Sequence, residues 1–266
     1  MRLPPTEQLE LLHDGDVLHV TLARPGRANV LGAAMHAELR ETFSRVRTSG
    51  GAVRCVLLSG AGGAFSAGQD LAELEVEACA RGALGELLER DHNALVRTIA
   101  TLDVPVIAAV DGVASGTGAN LALACDIVLA ARSATFVQSS VRLGLVPDAG
   151  GTWVLPRLVG LARARALVLT GESVDAERAA AMGMIWRAVD DDALAAESVA
   201  LARRLAAGPG VALAFAKQLL RLSQDDTLDA HLDLERDYQR AAGATRDFAE
   251  GLEASRTGRA PHFEGG

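Results

Sequence analysis

Lysine is almost missing from this chain: Lys217 is the only one in 266 residues. Any anion held by a charged side chain therefore falls to arginine, whose planar fork suits phosphate. Cysteine is scarce as well. Cys55, Cys79 and Cys125 are too few and too scattered for a disulfide framework or a zinc site, both of which need close, repeated spacings. They are expected to be reduced and mostly buried. No apolar run approaches the roughly 20 residues of a membrane span, although 49% of residues are apolar. Met1 to His13 lacks the basic, then apolar, then small pattern of a secretory signal, so the expected compartment is the cytoplasm. A formal charge of -8 argues against general nucleic-acid binding, because phosphate backbones demand a cationic face. The six histidines (13, 19, 36, 92, 231 and 262) show no i, i+4 zinc spacing and read as ordinary surface or core residues, so no metal is expected. No serine sits in a G-x-S-x-G elbow, which excludes that kind of hydrolase.

What is present alternates. Asp16 to Ala23 interleaves apolar and polar residues as a strand does, and Arg24-Pro25-Gly26 ends it. Met35, Leu39, Phe43 and Val46 fall at helical spacing between Ala33 and Val46. Arg54 to Ser59 and Val104 to Val110 read as buried strands, Gly82 to Leu102 as one amphipathic helix, Gly116 to Cys125 as a helix opened by glycines, and Asp126 to Ala131 as a further strand. Repeated strand, turn and helix define an α/β protein. Beyond Gly144 the signals are almost wholly helical: Leu161 to Leu169, Asp175 to Met182, Asp192 to Ala207, Val211 to Leu222 and Leu228 to Ala242. The expected organisation is an α/β core over residues 1–200 and a helical segment over 201–266. Leu232 to Phe248 reads as an oligomer-contact helix or an ordinary core helix.

Three glycine-rich turns carry the candidate chemistry. One runs from Gly60 to Asp70 (GAGGAFSAGQD), directly after the RCVLLS strand; another from Gly112 to Gly118 (GVASGTG), directly after VPVIAAV. Glycines after strands let backbone N–H groups approach an anion, and two neighbouring strand ends can each offer one N–H to a single oxygen. Tight packing alone accounts for either turn taken singly. A dinucleotide fingerprint does not: the third glycine is missing and no acidic residue follows about 20 positions on. The third turn, Gly144 to Trp153 (GLVPDAGGTW), places Asp148 between a proline and a glycine pair that opens a helix. There an aspartate is either an N-cap or a catalytic carboxylate.

The segments RPGRANVL (Arg24 to Leu31), VLLSGAGGAFSAGQDL (Val56 to Leu71), VPVIAAVDGVASGTGANLALACDIVLAA (Val104 to Ala131) and LGLVPDAGGTWVLPRLVG (Leu143 to Gly160) resemble, in order, the signatures of the crotonase (enoyl-CoA hydratase/isomerase) family. The resemblance spans essentially the whole chain. It implies a spiral of ββα units with a helical C-terminal oligomerisation segment, assembled as a homotrimer or a dimer of trimers. It implies an acyl-CoA thioester as substrate, coenzyme A being part of that substrate and no separate cofactor being required. It puts the two N–H donors of an oxyanion hole on Ala67 and Thr117. It lays the strip Ser66, Ala67, Gly68, Gln69 and Asp70 along the adenine of CoA, with Arg24 and Arg27 as phosphate candidates, and brings Leu71, Asn120, Ser140 and Trp153 to the substrate pocket.

Hydratases of the family use two glutamates, and the matching positions here are Asn120 and Ser140, neither of which is an acid or base at neutral pH. Asp148 matches the aspartate of non-hydratase members. Within the family, GQDL, ARSATFVQ, GLVPDAGGTWVLPR, GMIWRAVDD and LDLERDYQR most resemble members that isomerise, converting ring-1,2-epoxyphenylacetyl-CoA to oxepin-CoA or 3-enoyl-CoA to 2-enoyl-CoA. The expectation is an isomerase working through a thioester enolate, with Asp148 carrying the proton. A hydratase with a relocated acid and a non-catalytic CoA-binding member stand as alternatives. Because a free aspartate titrates near 3.9, the apolar surroundings of Trp153 are expected to raise Asp148.

Overall fold

The computed structural model describes all 266 residues. Ten strands form two sheets: β1 (Leu9–Asp14), β2 (Val17–Leu22), β3 (Cys55–Gly60), β4 (Ala64–Ser66), β5 (Val106–Val110), β6 (Val113–Ser115), β7 (Ile127–Ala131), β8 (Thr135–Val137), β9 (Ser173–Asp175) and β10 (Arg187–Val189). The larger sheet has the order β1-β2-β3-β5-β7-β10 and the smaller one β4-β6-β8-β9. Only the β1–β2 and β8–β9 pairs are antiparallel. Each turn of the chain thus leaves one strand in the large sheet and the next in the small sheet: β3 then β4, β5 then β6, β7 then β8. Chain and sheets together wind as a spiral of ββα units.

The apolar runs follow from this arrangement. All five residues of β5 are buried, as expected of a central parallel strand covered on both faces. The helices are α1 (Ala33–Arg47), α2 (Val76–Ala80), α3 (Ala83–Leu87), α4 (Ala94–Ala100), α5 (Thr117–Leu123), α6 (Gly151–Val159), α7 (Leu161–Thr170), α8 (Ala176–Ala181), α9 (Leu194–Ala206), α10 (Gly210–Leu222), α11 (Leu228–Ala242) and α12 (Arg246–Thr257). Helix α9 packs on β2, β3, β5 and β7, and Leu201, Ala202 and Ala206 are buried there. The expected division at residue 200 therefore cuts through a helix of the core, and the helical segment proper begins at Gly210. No single helix is long and apolar enough to cross a membrane.

Several expectations need correcting. The edge strand β1 and the three-residue strands β9 and β10 lie where no strand was expected. Gly82 to Leu102 is helical without a break from Ala83 to Ala100, but not uniformly α: between α3 and α4 lies a π-helical turn, Leu88–Asn93. Leu232 to Phe248 is also interrupted, because α11 ends at Ala242 and Thr245 caps a new helix by accepting the Phe248 N–H at 3.1 Å. Cys55 and Cys125 are buried and Cys79 half-buried, all three as free thiols.

Candidate active site

The two glycine turns after β4 and β6 lie side by side because those strands pair in parallel. Gly68, at φ 95°, brings them into contact: a Cβ there would lie 2.6 Å from the Ser115 carbonyl oxygen and 3.4 Å from the Thr117 nitrogen. Glycine alone tolerates both the dihedral and the approach. Thr117 is the first residue of α5, so its N–H is one of the helix's unsatisfied donors.

Ala67 does not supply the facing donor. Its N–H is spent on the Ala28 carbonyl at 2.8 Å, which Ala28 presents from the left-handed region at φ 47°. The Gly68 N–H is taken by Ser66 Oγ at 3.1 Å. The N–H of Gln69 meets no acceptor in the chain, and it is the free donor of this turn. The strip around it is tied down from behind. Ser66 is fully buried and donates its hydroxyl to the Asn29 carbonyl at 2.8 Å. Asp70, 1% exposed, receives Arg24 at 3.1 Å and Arg27 at 2.9 Å and caps the Ala72 N–H. Those two arginines are engaged in fixing Asp70, with Arg27 half exposed.

Asp148 reaches the same place from the third turn. Ala149 at φ 46° and Gly150 at φ 77° turn the backbone sharply behind it. Its carboxylate does not cap α6, which has no side-chain cap. Instead Oδ2 accepts the Thr117 hydroxyl at 2.7 Å, and Oδ1 has no partner in the chain. The Asp148 carbonyl accepts Asn120 Nδ2 at 2.9 Å and the Gly151 N–H at 2.8 Å. Asn120 is fully buried beneath this loop, its own oxygen accepting from Gln138 at 2.9 Å.

His92, unmarked in the sequence reading, stands beside the carboxylate. The π-helical turn carries it inward to 1% side-chain exposure, with Nδ1 3.4 Å from Asp148 Oδ2 and Nε2 2.7 Å from Gln69 Oε1. Its ring lies against His36 of α1 with centroids 4.5 Å apart. Burial alone would push the Asp148 carboxyl up, but hydrogen bonding by His92 and Thr117, the His92 charge and Asn120 together hold it below the ordinary aspartate range. The expected rise is thus overturned, and its supposed cause is elsewhere. Trp153 is 44% exposed on α6, stacked under Arg157 at 4.1 Å, and lines a separate cavity of about 510 Å³ between α6 and α10.

The cavity at the site itself measures about 240 Å³, and its lining includes Gln69, Leu71, His92, Thr117, Ser140 and Asp148. Asp148 is its only carboxylate. Leu71 and Ser140 are therefore brought to the site; Asn120 supports it from below and Trp153 stands apart. His92 left one trace in the sequence: with Leu88, Leu95 and Ile99 it falls on the apolar stripe of the Gly82 to Leu102 segment, where a polar ring needs a partner.

Free N–H donors and one lone carboxylate lining the same cleft define a site for moving protons next to a carbonyl group. A model described as enoyl-CoA hydratase/isomerase matches residues 13–266. The chain belongs to that family. It is 49% identical over 250 residues to 1,2-epoxyphenylacetyl-CoA isomerase of Escherichia coli K12, covering 94% of this chain and 95% of the relative. It is 44% identical over 246 residues to a probable enoyl-CoA hydratase of Rhodobacter capsulatus, covering 92% and 93%. Among solved structures, a putative enoyl-CoA hydratase from Streptomyces coelicolor superposes with a TM-score of 0.93 at 34% identity, covering 100% of this chain and 97% of that one.

Proposed function

We propose that this chain is an acyl-CoA isomerase that works through a thioester enolate with Asp148 as its single proton carrier. The observation that carries the reading is the lone carboxylate in the cavity. Hydration needs one group to activate water and protonation at the α carbon, which a pair of carboxylates provides. Here the residues at the two hydratase glutamate positions are Asn120, buried with its Nδ2 on the Asp148 carbonyl and its Oδ1 accepting from Gln138, and Ser140. A proton shift needs only one base, which takes a proton from one carbon and returns it to another.

The backbone N–H groups of Gln69 and Thr117 are the oxyanion donors in this reading. Each such donor is typically worth about 2.7–4 kcal/mol to the developing charge. The thioester carbonyl between them becomes an electron sink, and the α proton becomes acidic enough for Asp148, whose partnerless Oδ1 is the atom left to receive it. For a 3-enoyl-CoA the proton returns at the γ carbon to give the 2-enoyl-CoA. For ring-1,2-epoxyphenylacetyl-CoA, the substrate class named by the E. coli relative, the same cleft holds the thioester while the epoxide opens to the seven-membered oxepin. Coenzyme A enters as part of the substrate, and no other cofactor is required. The active assembly is a homotrimer or a dimer of trimers. Exposed apolar residues on the last three helices support this, among them Leu220, Leu228, Leu232, Phe248 and Leu252.

The test is a paired assay of wild type and Asp148→Asn on 3-enoyl-CoA isomerisation, ring-epoxide rearrangement and crotonyl-CoA hydration. The variant is expected to lose at least about 10²-fold, or roughly 2.7 kcal/mol of barrier, in one or both of the first two activities. Hydration stays negligible throughout. Robust hydration that survives the substitution would overturn the single-base reading in favour of a hydratase using another acid.

A further inference from the structure

Resting on that reading, we propose that His92 is the positioning residue of Asp148: its ring is protonated on both nitrogens and holds the Nδ1 proton against the carboxylate. Gln69 turns its amide nitrogen toward the Asp70 carbonyl at 3.5 Å, which leaves Oε1 as the atom facing His92 Nε2 at 2.7 Å. In that orientation the carbonyl oxygen only accepts, so Nε2 carries a hydrogen. A neutral imidazole with Nε2–H presents a bare lone pair at Nδ1. That lone pair would then face Asp148 Oδ2 at 3.4 Å, inside the fold and with no other donor to Nδ1. Two acceptors set against each other in a buried place repel unless a proton lies between them.

The surroundings favour a charge on His92 and on no other ring. His36 is stacked on it and both His36 nitrogens are buried without partners. Burial first, and the His92 charge next, push His36 down to about 3, so it faces His92 as a neutral ring. Asp91, next in the chain, is turned away into Arg40 at 2.5 Å and Arg90 at 2.7 Å and neutralised there. The remaining titratable group against His92 is Asp148. The π-helical turn has a use on this account, since the extra residue in that turn presents His92 inward between α1 and the Asp148 loop. His92 also joins the two halves of the site: one nitrogen holds the side chain of Gln69, whose N–H is a free donor, and the other holds the base.

Two measurements test the proposal. The nitrogen-15 shifts of the His92 ring, read on the folded protein in wild type and in Asp148→Asn, do not depend on activity. Wild type should show both nitrogens protonated at pH 7, and Asp148→Asn should lose the Nδ1 proton. A bare Nδ1 in wild type, or no change in the variant, overturns the proposal. The pH dependence of kcat and KM in His92→Gln reads the consequence. Without the donor, the acidic limb of kcat should move to higher pH by about one unit or more while KM changes less than threefold. A uniform fall in kcat with the limb unmoved means that His92 only fills space, and overturns the proposal too. Should Asp148→Asn keep full isomerase activity, the assignment of the base fails separately, and the ring shifts still decide whether the proton is shared.

Discussion

The chain up to Ala206 and the arm from Gly210 onward are held together in different ways. The first owns a continuous core of 50 buried apolar residues spread over both sheets and their covering helices. The arm buries almost nothing: α11 has no buried residue, α10 only Ala214, and α12 only Asp247 and Ala254. Its helices hold each other through the edge-on Phe215–Tyr238 pair, with centroids 4.7 Å apart, and through the Tyr238 hydroxyl on Gln218. A latch at Lys217 ties the arm to the core, alongside Gln218 on Asp103, Arg157 on Asp225 and Arg54 on the Phe263 carbonyl. Lys217 reaches Asp126 at 2.7 Å and donates to the carbonyls of Ile99 and Val104. The only lysine of the chain is thus used in joining the two regions, and the arm leaves apolar side chains such as Leu220, Leu228 and Leu232 exposed.

Cutting that latch has the largest expected effect on stability. Lys217→Met leaves the Asp126 carboxylate without its cation in a site where burial already raises its pKa. A loss of roughly 3–4 kcal/mol in urea unfolding follows, toward the low end of partner removal because Asp126 keeps 25% exposure. An unchanged unfolding midpoint would mean that the arm holds on by other contacts.

Next comes the dryness of the core, read through His36. An unfolded chain takes up its proton near 6.5, whereas the folded one resists until about 3. The folded pKa is lowered, so this contribution is complete above pH 6.5 and drains away as pH falls toward 3. Wild type should lose roughly 2–3 kcal/mol between pH 6.5 and 4.5 that His36→Phe does not lose. Parallel stability curves for the two proteins would show that water reaches the ring.

The smallest effect on the chain itself belongs to the arm. Leu232→Glu, at a half-exposed position, should shift single-chain stability by less than about 0.5 kcal/mol. Its consequence lies in assembly: the wild-type melting temperature should rise with protein concentration and that of the variant should not. Sedimentation at the mass of one chain for wild type would remove the basis of this prediction.

Much of the core was legible because its strands are buried on both faces and read as short apolar runs, as Val106–Val110 does. The antiparallel edge strand Leu9–Asp14 lacks that run, and Ser173–Asp175 and Arg187–Val189 are too short to show any period. Asp148 stood out from its flanking proline and glycines, which fit a cap or a catalytic carboxylate alike until the family resemblance favoured the second, and the direction of its pKa was not legible at all. That direction depends on Thr117 and His92, which arrive from distant parts of the chain. The choice between Ala67 and Gln69 as donor was hidden for a related reason. Which N–H stays free is decided by where Ala28 puts its carbonyl, and a left-handed alanine leaves no mark in composition. The helical content of the arm was clear, whereas the break at Gly243–Thr245 was hidden behind residues that suit either a cap or a helix.

Gly151 bears on how this site can evolve. A Cβ on it would lie 2.4 Å from both amide atoms of Asn120, so the helix α6 rests directly on that side chain. Placing a glutamate at position 120 would add a methylene where α6 leaves no space, and would remove the donor that holds the Asp148 carbonyl. A two-carboxylate site is therefore not one substitution away from this sequence: the loop that carries Asp148 would have to be rebuilt as well.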